Sequence, residues 1–275
     1  MTRLARAALA AAFLFLAIGV RAADPVAFVS DITGNVVLDG GGRPPFLGDL
    51  LPGTKLVLAP RSSATVMFVV SGVEFALRGP GEFLVAKQGI RAVKGATPSS
   101  RVPAQRVSTA VLVDASKAAT ASLRMRSVAP AKAEARGPQY PVSARIATLQ
   151  PTLRWAGEPE TMYSVVVTAT TGNEVFRGSA KGPVLRLPVR LAAGQGYAWN
   201  YSAGEQVLGD ARFETLPSEA IQAAEKARAT AKSFADRVLL ALALQDLGAA
   251  QDAREVWAQL ASERPDIPEL AGLAR

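Results

Sequence analysis

The chain has 275 residues, of which 49% are hydrophobic, and its formal net charge is +8 at pH 7. This length suggests one large domain or two to three small ones, and the composition excludes a disordered polar chain. The sequence has no cysteine and no histidine, which excludes disulfides, thiol nucleophiles, thiolate metal sites and histidine-based triads. Carboxylate pairs, serine–lysine dyads and carboxylate calcium sites remain open.

Residues 1–22 have the parts of a secretory signal peptide. Arg3 and Arg6 form a basic start, and an uncharged apolar run of 14 residues follows. Val20 and Ala22 are small residues at the two positions that a signal peptidase reads. A membrane anchor is the alternative, but a spanning helix needs about 20 residues. We predict cleavage after Ala22 and a periplasmic mature protein without a lipid or transmembrane anchor, since no cysteine and no longer apolar run follow.

Residues 23–95 are predicted to form an all-β domain. Short stretches rich in Val, Ile and Phe alternate with polar residues, and turn signals such as Pro52-Gly53 separate them. This pattern favours hairpins that fold into a sandwich or roll.

The stretch from Met67 to Val85 shows the expected hairpins most clearly. We predict a turn at residues 71–72 and a bend at residues 79–81, where glycines interrupt the alternation. Glu74 and Arg78 should then face solvent. Four apolar side chains should point into one core: Phe68, Val70, Phe75 and Leu77.

Two segments of this domain, "ITGNVVL" and "LGDLLPGTKLVLAPRSSATVMFVVSGVEFALRGPGEFLV", carry a family pattern of glycines and apolar residues. Its positions are occupied here by Gly34, Gly48-Asp49, Gly53, Ser71-Gly72 and Leu77. Over about 75 residues the sequence resembles the FecR-like domain of bacterial envelope proteins. One departure is Ser71, where an Asp usually precedes the turn glycine. FecR itself relays a signal from the inner membrane to a sigma factor. We do not expect that role here, because no cytoplasmic segment precedes the signal peptide.

Residues 96–141 are predicted to be a basic connector rich in proline and alanine. "ATPSSRVPAQ" and "SVAPAKAEARGPQYP" are linker-like, whereas "VSTAVLVD" and "ASLRMRS" could be strands that pair with the first domain. Eleven lysines and arginines but only two acids lie within residues 86–145, and Arg124 and Arg126 would share one face of an extended strand. This segment could contact anionic surfaces such as wall polymers, phospholipid headgroups or lipopolysaccharide. The alternative is a solvated linker, the usual role of charge runs.

Residues 142–216 are predicted to form a second β domain. Strand-like stretches such as "YSVVVTAT" and "YAWNYSAG" are separated by turns, and aromatic and apolar residues recur at spacings typical of a sandwich: Pro151, Trp155, Tyr163, Val165, Val167, Leu191, Gly194, Tyr197 and Trp199. In these positions the segment resembles fibronectin type III and other immunoglobulin-like domains. We expect the large aromatic rings to pack between two sheets. The alternative is a sugar-stacking platform, which needs at least two of the rings exposed on one face.

Residues 217–275 are predicted to be helical. Ser218 could cap a first helix that ends near residue 231. Ser233 and Asp236 have capping-box spacing before the apolar stretch "RVLLALALQDL". Gly248 suits the end of that second helix, and a third helix follows.

The second and third helices carry a repeat-like pattern over about 34 residues: Leu240, Leu244, Gly248, Ala253, Trp257, Leu260 and Pro265. In type and spacing these residues resemble one tetratricopeptide (TPR) helical hairpin. Because TPR arrays usually need at least three repeats, we expect the hairpin to pack on a sandwich, on the first helix or on a partner. Protein contacts could use its concave face. Leu244→Asp should then disturb folding, while Arg254→Glu should weaken only binding.

No catalytic, cofactor-binding or metal-binding residue is predicted. Five carboxylates of the first domain lie beside turn glycines or at polar strand positions, where we expect solvation: Asp31, Asp39, Asp49, Glu74 and Glu82. Their spacing gives no sign of the facing pair that a glycosidase requires. The chain contains no Ser-x-x-Lys, no Gly-x-Ser-x-Gly elbow, no phosphate-binding loop and no Asp-x-Asp-x-Asp-Gly calcium loop.

Together these observations predict a mainly β, multidomain protein. It consists of a FecR-like β sandwich or roll, an immunoglobulin-like β sandwich and a C-terminal TPR-like helical hairpin. We expect an exported, non-enzymatic cell-envelope protein that acts as a binding, scaffold or sensing module through protein or wall-polymer contacts. One alternative is a carbohydrate- or peptidoglycan-binding module, and another is a carboxylate-dependent envelope hydrolase. We expect no nucleic-acid partner, because the chain is exported.

Overall fold

The computed structural model describes residues 24–104, 107–108 and 137–275. The protein is mainly β, with several antiparallel sheets followed by a few C-terminal helices, as the alternation of apolar residues predicted. The predicted signal peptide lies outside the described residues. So do the predicted strand "ASLRMRS", with Arg124 and Arg126, and all but the first two residues of "VSTAVLVD".

The N-terminal part consists of two sheets that share a core, and we call residues 24–101 the first sandwich. Its strands are β1 (Ala27–Thr33), β2 (Val36–Leu38), β3 (Asp49–Leu50), β4 (Lys55–Leu58), β5 (Ser63–Phe68), β6 (Glu74–Arg78), β7 (Gly81–Ala86), β8 (Gly89–Lys94) and β9 (Ser99–Arg101). One sheet has the order β3-β1-β5-β6-β9, and the other has the order β2-β4-β7-β8. Val29, Leu56 and Phe83 are buried in the core that the two sheets share.

Residues 137–216 form a second pair of sheets, which we call the second sandwich. Its strands are β10 (Pro138–Tyr140), β11 (Ala144–Ile146), β12 (Thr152–Trp155), β13 (Met162–Ala169), β14 (Glu174–Lys181), β15 (Val184–Arg186), β16 (Gly196–Ala203) and β17 (Gln206–Thr215). The sheet orders are β10-β12-β15 and β11-β17-β16-β13-β14. All of these neighbours are antiparallel except β11 and β17.

Four helices follow: α1 (Ser218–Thr230), α2 (Phe234–Asp246), α3 (Ala250–Glu263) and α4 (Glu269–Leu273). The predicted capping box at the start of α2 is confirmed, because Ser233 and Asp236 each accept a hydrogen bond from the other's backbone N–H. Gly248 ends this helical segment with a φ of 82°, a conformation that glycine adopts without strain. The predicted cap at Ser218 is wrong, since Ser218 is itself the first helical residue and makes no capping hydrogen bond. No helix in the described residues is long and apolar enough to span a membrane.

The helices pack against both sandwiches. Phe28 and Met67 lie on the outer face of the first sandwich and share a core with Leu239 and Trp257 of the helices. On the other side, Leu244 shares a core with the connection between β11 and β12 and with α1. As a result, nine of the 13 residues of α2 are buried. Most of the α2 surface is therefore covered by the rest of the protein.

The structure corrects two expectations for residues 67–85. The turn and the bend are confirmed, but Glu74 is only 4% exposed, because its side of β6 faces the helices and not solvent. Val70 was expected in the core and is 89% exposed. Strand β5 ends at Phe68, whose carbonyl accepts a hydrogen bond from Gly72 N–H, so the alternation stops before Val70.

Parts of the predicted connector belong to the sheets. Residues 99–101 pair with β6 as the edge strand of the first sandwich, and residues 138–140 pair with β12 in the second. Within the two linker-like stretches, residues 99–101 and 138–140 are therefore strands and not linker. Composition alone did not show that these serine- and proline-containing stretches include edge strands.

Candidate functional site

A cleft lies between the second sandwich and the C-terminal helices, and we call it the interdomain cleft. One wall is the outer face of the sheet β10-β12-β15, and the other is formed by α1 and α3. Its volume is about 600 Å³, within the range of roughly 300–1,000 Å³ that is common for ligand pockets. Two other pockets in the described residues are smaller, at about 230 and 240 Å³. Ligand sites often lie at domain junctions, so the interdomain cleft is the candidate site.

Strand alternation determines which side chains line the sheet wall of the cleft. Leu153 is buried in the core of the second sandwich, so its neighbours Thr152 and Arg154 face outward and line the cleft. On the adjacent strand, Arg186 lies opposite Thr152 in the antiparallel register. On the other side of β12, Tyr140 pairs with Arg154. The sheet therefore presents two arginines and a tyrosine to the helices.

Asp252 of α3 connects the helical wall to the sheet wall. It is 4% exposed and accepts hydrogen bonds from the Tyr140 hydroxyl (2.7 Å), the Ala147 backbone N–H (2.8 Å) and the Arg228 guanidinium (3.0 Å). Arg228, on α1, also donates to the Ala147 carbonyl. Burial raises the pKa of the Tyr140 hydroxyl, and the charge of Asp252 raises it further. Tyr140 therefore stays protonated and remains a hydrogen-bond donor.

A second ion pair crosses the cleft one turn further along α3. Both terminal nitrogens of the Arg154 guanidinium donate to the Glu255 carboxylate, a two-point arrangement that fixes both groups. The hydrogen bond to Glu255 raises the pKa of Arg154. The guanidinium carbon also lies 5.0 Å from the centre of the Tyr140 ring, within the range of a cation–π contact.

Two other charged residues of the cleft are held more loosely. Arg186 is exposed and forms no ion pair within the described part of the chain. Glu225 of α1 lies 3.5 Å from Arg190, and both side chains are at least half exposed, so this pair contributes little. The cleft therefore has tightly paired charges at one end and accessible charges at the other.

A second polar junction joins the first sandwich to α2. The Arg101 guanidinium donates to Glu74 (2.6 Å) and to Asp236 (2.7 Å), and both carboxylates are buried. Burial raises the pKa of Asp236, but hydrogen bonds from Ser233 and Arg101 more than offset this, so the pKa lies below its usual value. One oxygen of Glu74, Oε2, has no hydrogen-bond partner among the residues that the structure describes. We interpret this junction as a structural connection, because each acid is bound by the same arginine.

The carboxylates of the first domain do not line the interdomain cleft. No group of three acids or other metal-ligating residues that could hold a metal ion occurs in residues 24–104, 107–108 and 137–275. The five side chains have separate surroundings: Asp31 binds Arg264, Asp39 binds Lys55, Glu74 binds Arg101, Glu82 binds Lys94, and Asp49 is exposed.

The aromatic residues of the second sandwich are buried, as the sandwich pattern predicted. The exposed fractions of Trp155, Tyr163, Tyr197 and Trp199 do not exceed 3%. Trp199 donates to the Pro141 carbonyl, and Trp155 stacks on Tyr201 at 5.2 Å between ring centres. A sugar-stacking platform made of these four rings is therefore contradicted.

The sequence interpretation missed the residues of the interdomain cleft. Charged residues next to inward-facing leucines, in Leu153-Arg154 and Leu185-Arg186, could have indicated a polar outer face on these strands. Asp252 is the third residue of α3 and resembles an ordinary acid of a first helical turn. Its partners come from distant parts of the chain and leave no local signal.

Comparison with known proteins gives no family for this chain. No protein-family model matches it, and no curated protein matches it significantly.

Proposed function

We propose that this chain is an exported, non-enzymatic binding protein of the cell envelope, and that its ligand binds in the interdomain cleft. The observation that carries the proposal is the cleft itself, a volume of about 600 Å³ between a sheet face and two helices. A site between a sheet face and a pair of helices can recognise a ligand with both walls.

The state of the cleft carboxylates supports binding in preference to hydrolysis. Asp252 accepts three hydrogen bonds, and Glu255 is held at both oxygens by Arg154. A glycosidase needs one carboxyl that donates a proton and a second that attacks or activates water. Asp252 and Glu255 are occupied by arginine and tyrosine, and Glu225 alone is loosely held; one accessible carboxylate does not supply the pair that a glycosidase requires.

The proposed location and class depend on the sequence. The N-terminal segment with signal-peptide character supports export to the periplasm, and the FecR-like, fibronectin type III-like and TPR-like resemblances support an envelope protein. The arrangement of two sandwiches and a helical hairpin is compatible with these resemblances. An N-terminus at Ala23 in protein recovered from the periplasmic fraction would support this location, and recovery of the uncleaved chain from the cytoplasm would contradict it.

Retention on envelope material tests the binding role. Purified mature protein is sedimented with membrane fragments or with peptidoglycan, and the retained fraction and any released soluble fragments are measured. We expect retention without release. Gln259→Trp should reduce retention, because Gln259 is exposed on α3 and lines the cleft, where an indole would occupy space. Gln222→Trp is the matched control, an exposed glutamine of α1 that does not line the cleft.

Three outcomes of this assay would contradict the proposal. Released fragments would indicate a hydrolase. Absence of retention on either material would remove the binding role. Equal retention of the Gln259→Trp protein and the wild type would show that binding uses another surface.

A further inference from the structure

We propose that the interdomain cleft binds a short peptide segment through its terminal carboxylate, and that Arg186 is the residue that binds this carboxylate. The inference rests on the proposed binding function and specifies the chemistry of its ligand.

Arg186 differs from the other arginines around the cleft in having an accessible guanidinium. Arg154 is held at two points by Glu255, and Arg228 is held by Asp252 and a backbone carbonyl. Arg186 is exposed and has no ion pair within the described residues. It also lines the cleft, directly opposite Thr152 in the strand register. A ligand anion that enters the cleft would therefore meet Arg186 as its available cation.

The charges of the cleft favour a carboxylate over a phosphate. Glu225, Asp252 and Glu255 also line the cleft and offset the charges of its three arginines, so the cleft has no net positive charge to attract a dianion. A phosphate monoester carries up to two negative charges near neutral pH. A carboxylate carries one and matches the planar guanidinium with two parallel hydrogen bonds. The monoanion is the ligand group that this mixed surface accepts.

The remaining lining residues suit a peptide. Thr148, Gln150 and Gln259 offer hydroxyl and amide groups that can donate to and accept from peptide bonds. Pro151 and Val256 offer apolar surface for small side chains. A cleft of about 600 Å³ has room for a segment of a few residues. Peptides with a free carboxylate occur both in bacterial wall polymers, where D-alanine is terminal, and at the ends of proteins, where residues are L.

Calorimetric titration of the mature protein with N-acetyl-alanyl-alanine tests the inference. Both the L,L and the D,D dipeptide are used, each as the free acid and as the C-terminal amide. We expect one enantiomer to bind as the acid, with the amide roughly tenfold weaker or worse because the charge-assisted contact is lost. Preference for the D,D acid would indicate a wall peptide, and preference for the L,L acid would indicate a protein terminus; either result supports the inference.

Variants then assign the contact to Arg186. We expect Arg186→Gln to weaken binding of the acid roughly tenfold or more and to leave binding of the amide nearly unchanged. The control is Arg212→Gln, an exposed arginine on β17 that does not line the cleft and should bind like the wild type. Thermal unfolding should be the same for both variants, since both side chains are exposed.

Equal affinity for acid and amide, wild-type affinity in Arg186→Gln, or no saturable binding up to about 10 mM dipeptide would overturn the inference. Each of these results would contradict the peptide-carboxylate inference without contradicting the proposed binding function of the cleft. If envelope retention still falls in Gln259→Trp while the dipeptides do not bind, the cleft binds a ligand of other chemistry. If retention does not depend on the cleft, the proposed site itself is wrong.

Discussion

Asp252 is the buried carboxylate at which the second sandwich, α1 and α3 meet. It accepts hydrogen bonds from a tyrosine hydroxyl, a backbone N–H and a guanidinium. One side chain therefore connects three separate parts of the structure. The main contribution of such a residue to stability is that it prevents buried hydrogen-bond donors from being left without an acceptor. Buried donors that lose their acceptor incur a desolvation cost that a lost surface contact does not.

Asp252→Ala should destabilise the protein by about 2–4 kcal/mol, the cost of leaving buried donors without an acceptor, with little added by the partly exposed Arg228. Tyr140, Ala147 and Arg228 would lose an acceptor at the same time. The free energy of unfolding from urea denaturation measures this effect. Glu174→Ala is the control, because Glu174 pairs with Arg177 on an exposed strand and its removal should have little effect on stability. Equal losses in the two variants would contradict the assigned role of Asp252.

Asp236 should make stability depend on pH. Its pKa in the folded protein is lowered despite burial, because Ser233 and Arg101 hydrogen-bond to the ionised form. The unfolded chain therefore binds more protons near and below its ordinary pKa of about 3.9. The stabilisation is present above that pH and is lost as the pH falls through the folded-state pKa.

Urea denaturation at pH 5 and at about pH 2.5 checks this dependence, with the acid condition below the ordinary pKa. Several other carboxylates are paired, so the wild type should lose stability on acidification in any case. Asp236→Asn should be less stable than the wild type at pH 5 by about 1 kcal/mol, typical of a weakened helix cap, and should lose less on acidification. An identical pH dependence in both proteins would rule out this contribution.

At the scale of elements, α2 is the most enclosed segment. Its face toward Leu239 packs on the first sandwich, and its face toward Leu244 packs on α1 and α3. A helix enclosed in this way is a core element and not a recognition surface. The TPR-like pattern of small and large residues is thus used to pack helices inside one protein.

Leu244→Asp should unfold the protein or cost more than about 4 kcal/mol, since an unpaired carboxylate would replace a fully buried leucine. Arg254→Glu, on the exposed side of α3, should change stability by no more than about 0.5 kcal/mol. Far-UV circular dichroism during heating measures both effects. A Leu244→Asp protein that melts like the wild type would show that α2 is not enclosed in solution.

Local signals made the elements predictable. The capping box at Ser233 and the glycine at position 248 act within one helical turn, so the sequence was sufficient to place α2. Strand alternation predicted the mainly β fold and the burial of Trp155 and Trp199 for the same reason.

Contacts between distant segments were not predictable. Glu74 was expected to be solvated because nothing nearby indicates that Asp236, 162 positions later, would cover its side of the sheet. The cleft depends on pairs such as Tyr140 and Asp252, which are 112 positions apart. The alternation of apolar and polar residues shows which face of a strand points into the core. It does not show which distant segment packs against the other face.

At the scale of the whole molecule, the helices share cores with both sandwiches, so we expect the described parts to unfold together. Trp155 and Trp199 are buried in the second sandwich, and Trp257 contacts Phe46 of the first. In Trp257→Phe, tryptophan fluorescence reports the second sandwich alone, while circular dichroism reports all elements. The two probes should give the same urea midpoint. Two separate midpoints would show that the sandwiches unfold independently.

The position of the covering helices also affects the protein while it is being made. Phe28 and Met67 form an apolar surface early in the chain, but Leu242, which covers it, is synthesised 214 positions after Phe28. Until then this surface is exposed to water, and long-range closure of this kind is slow and prone to aggregation. A chain that stops before residue 217 would therefore not be a smaller working protein but a substrate for chaperones and proteases.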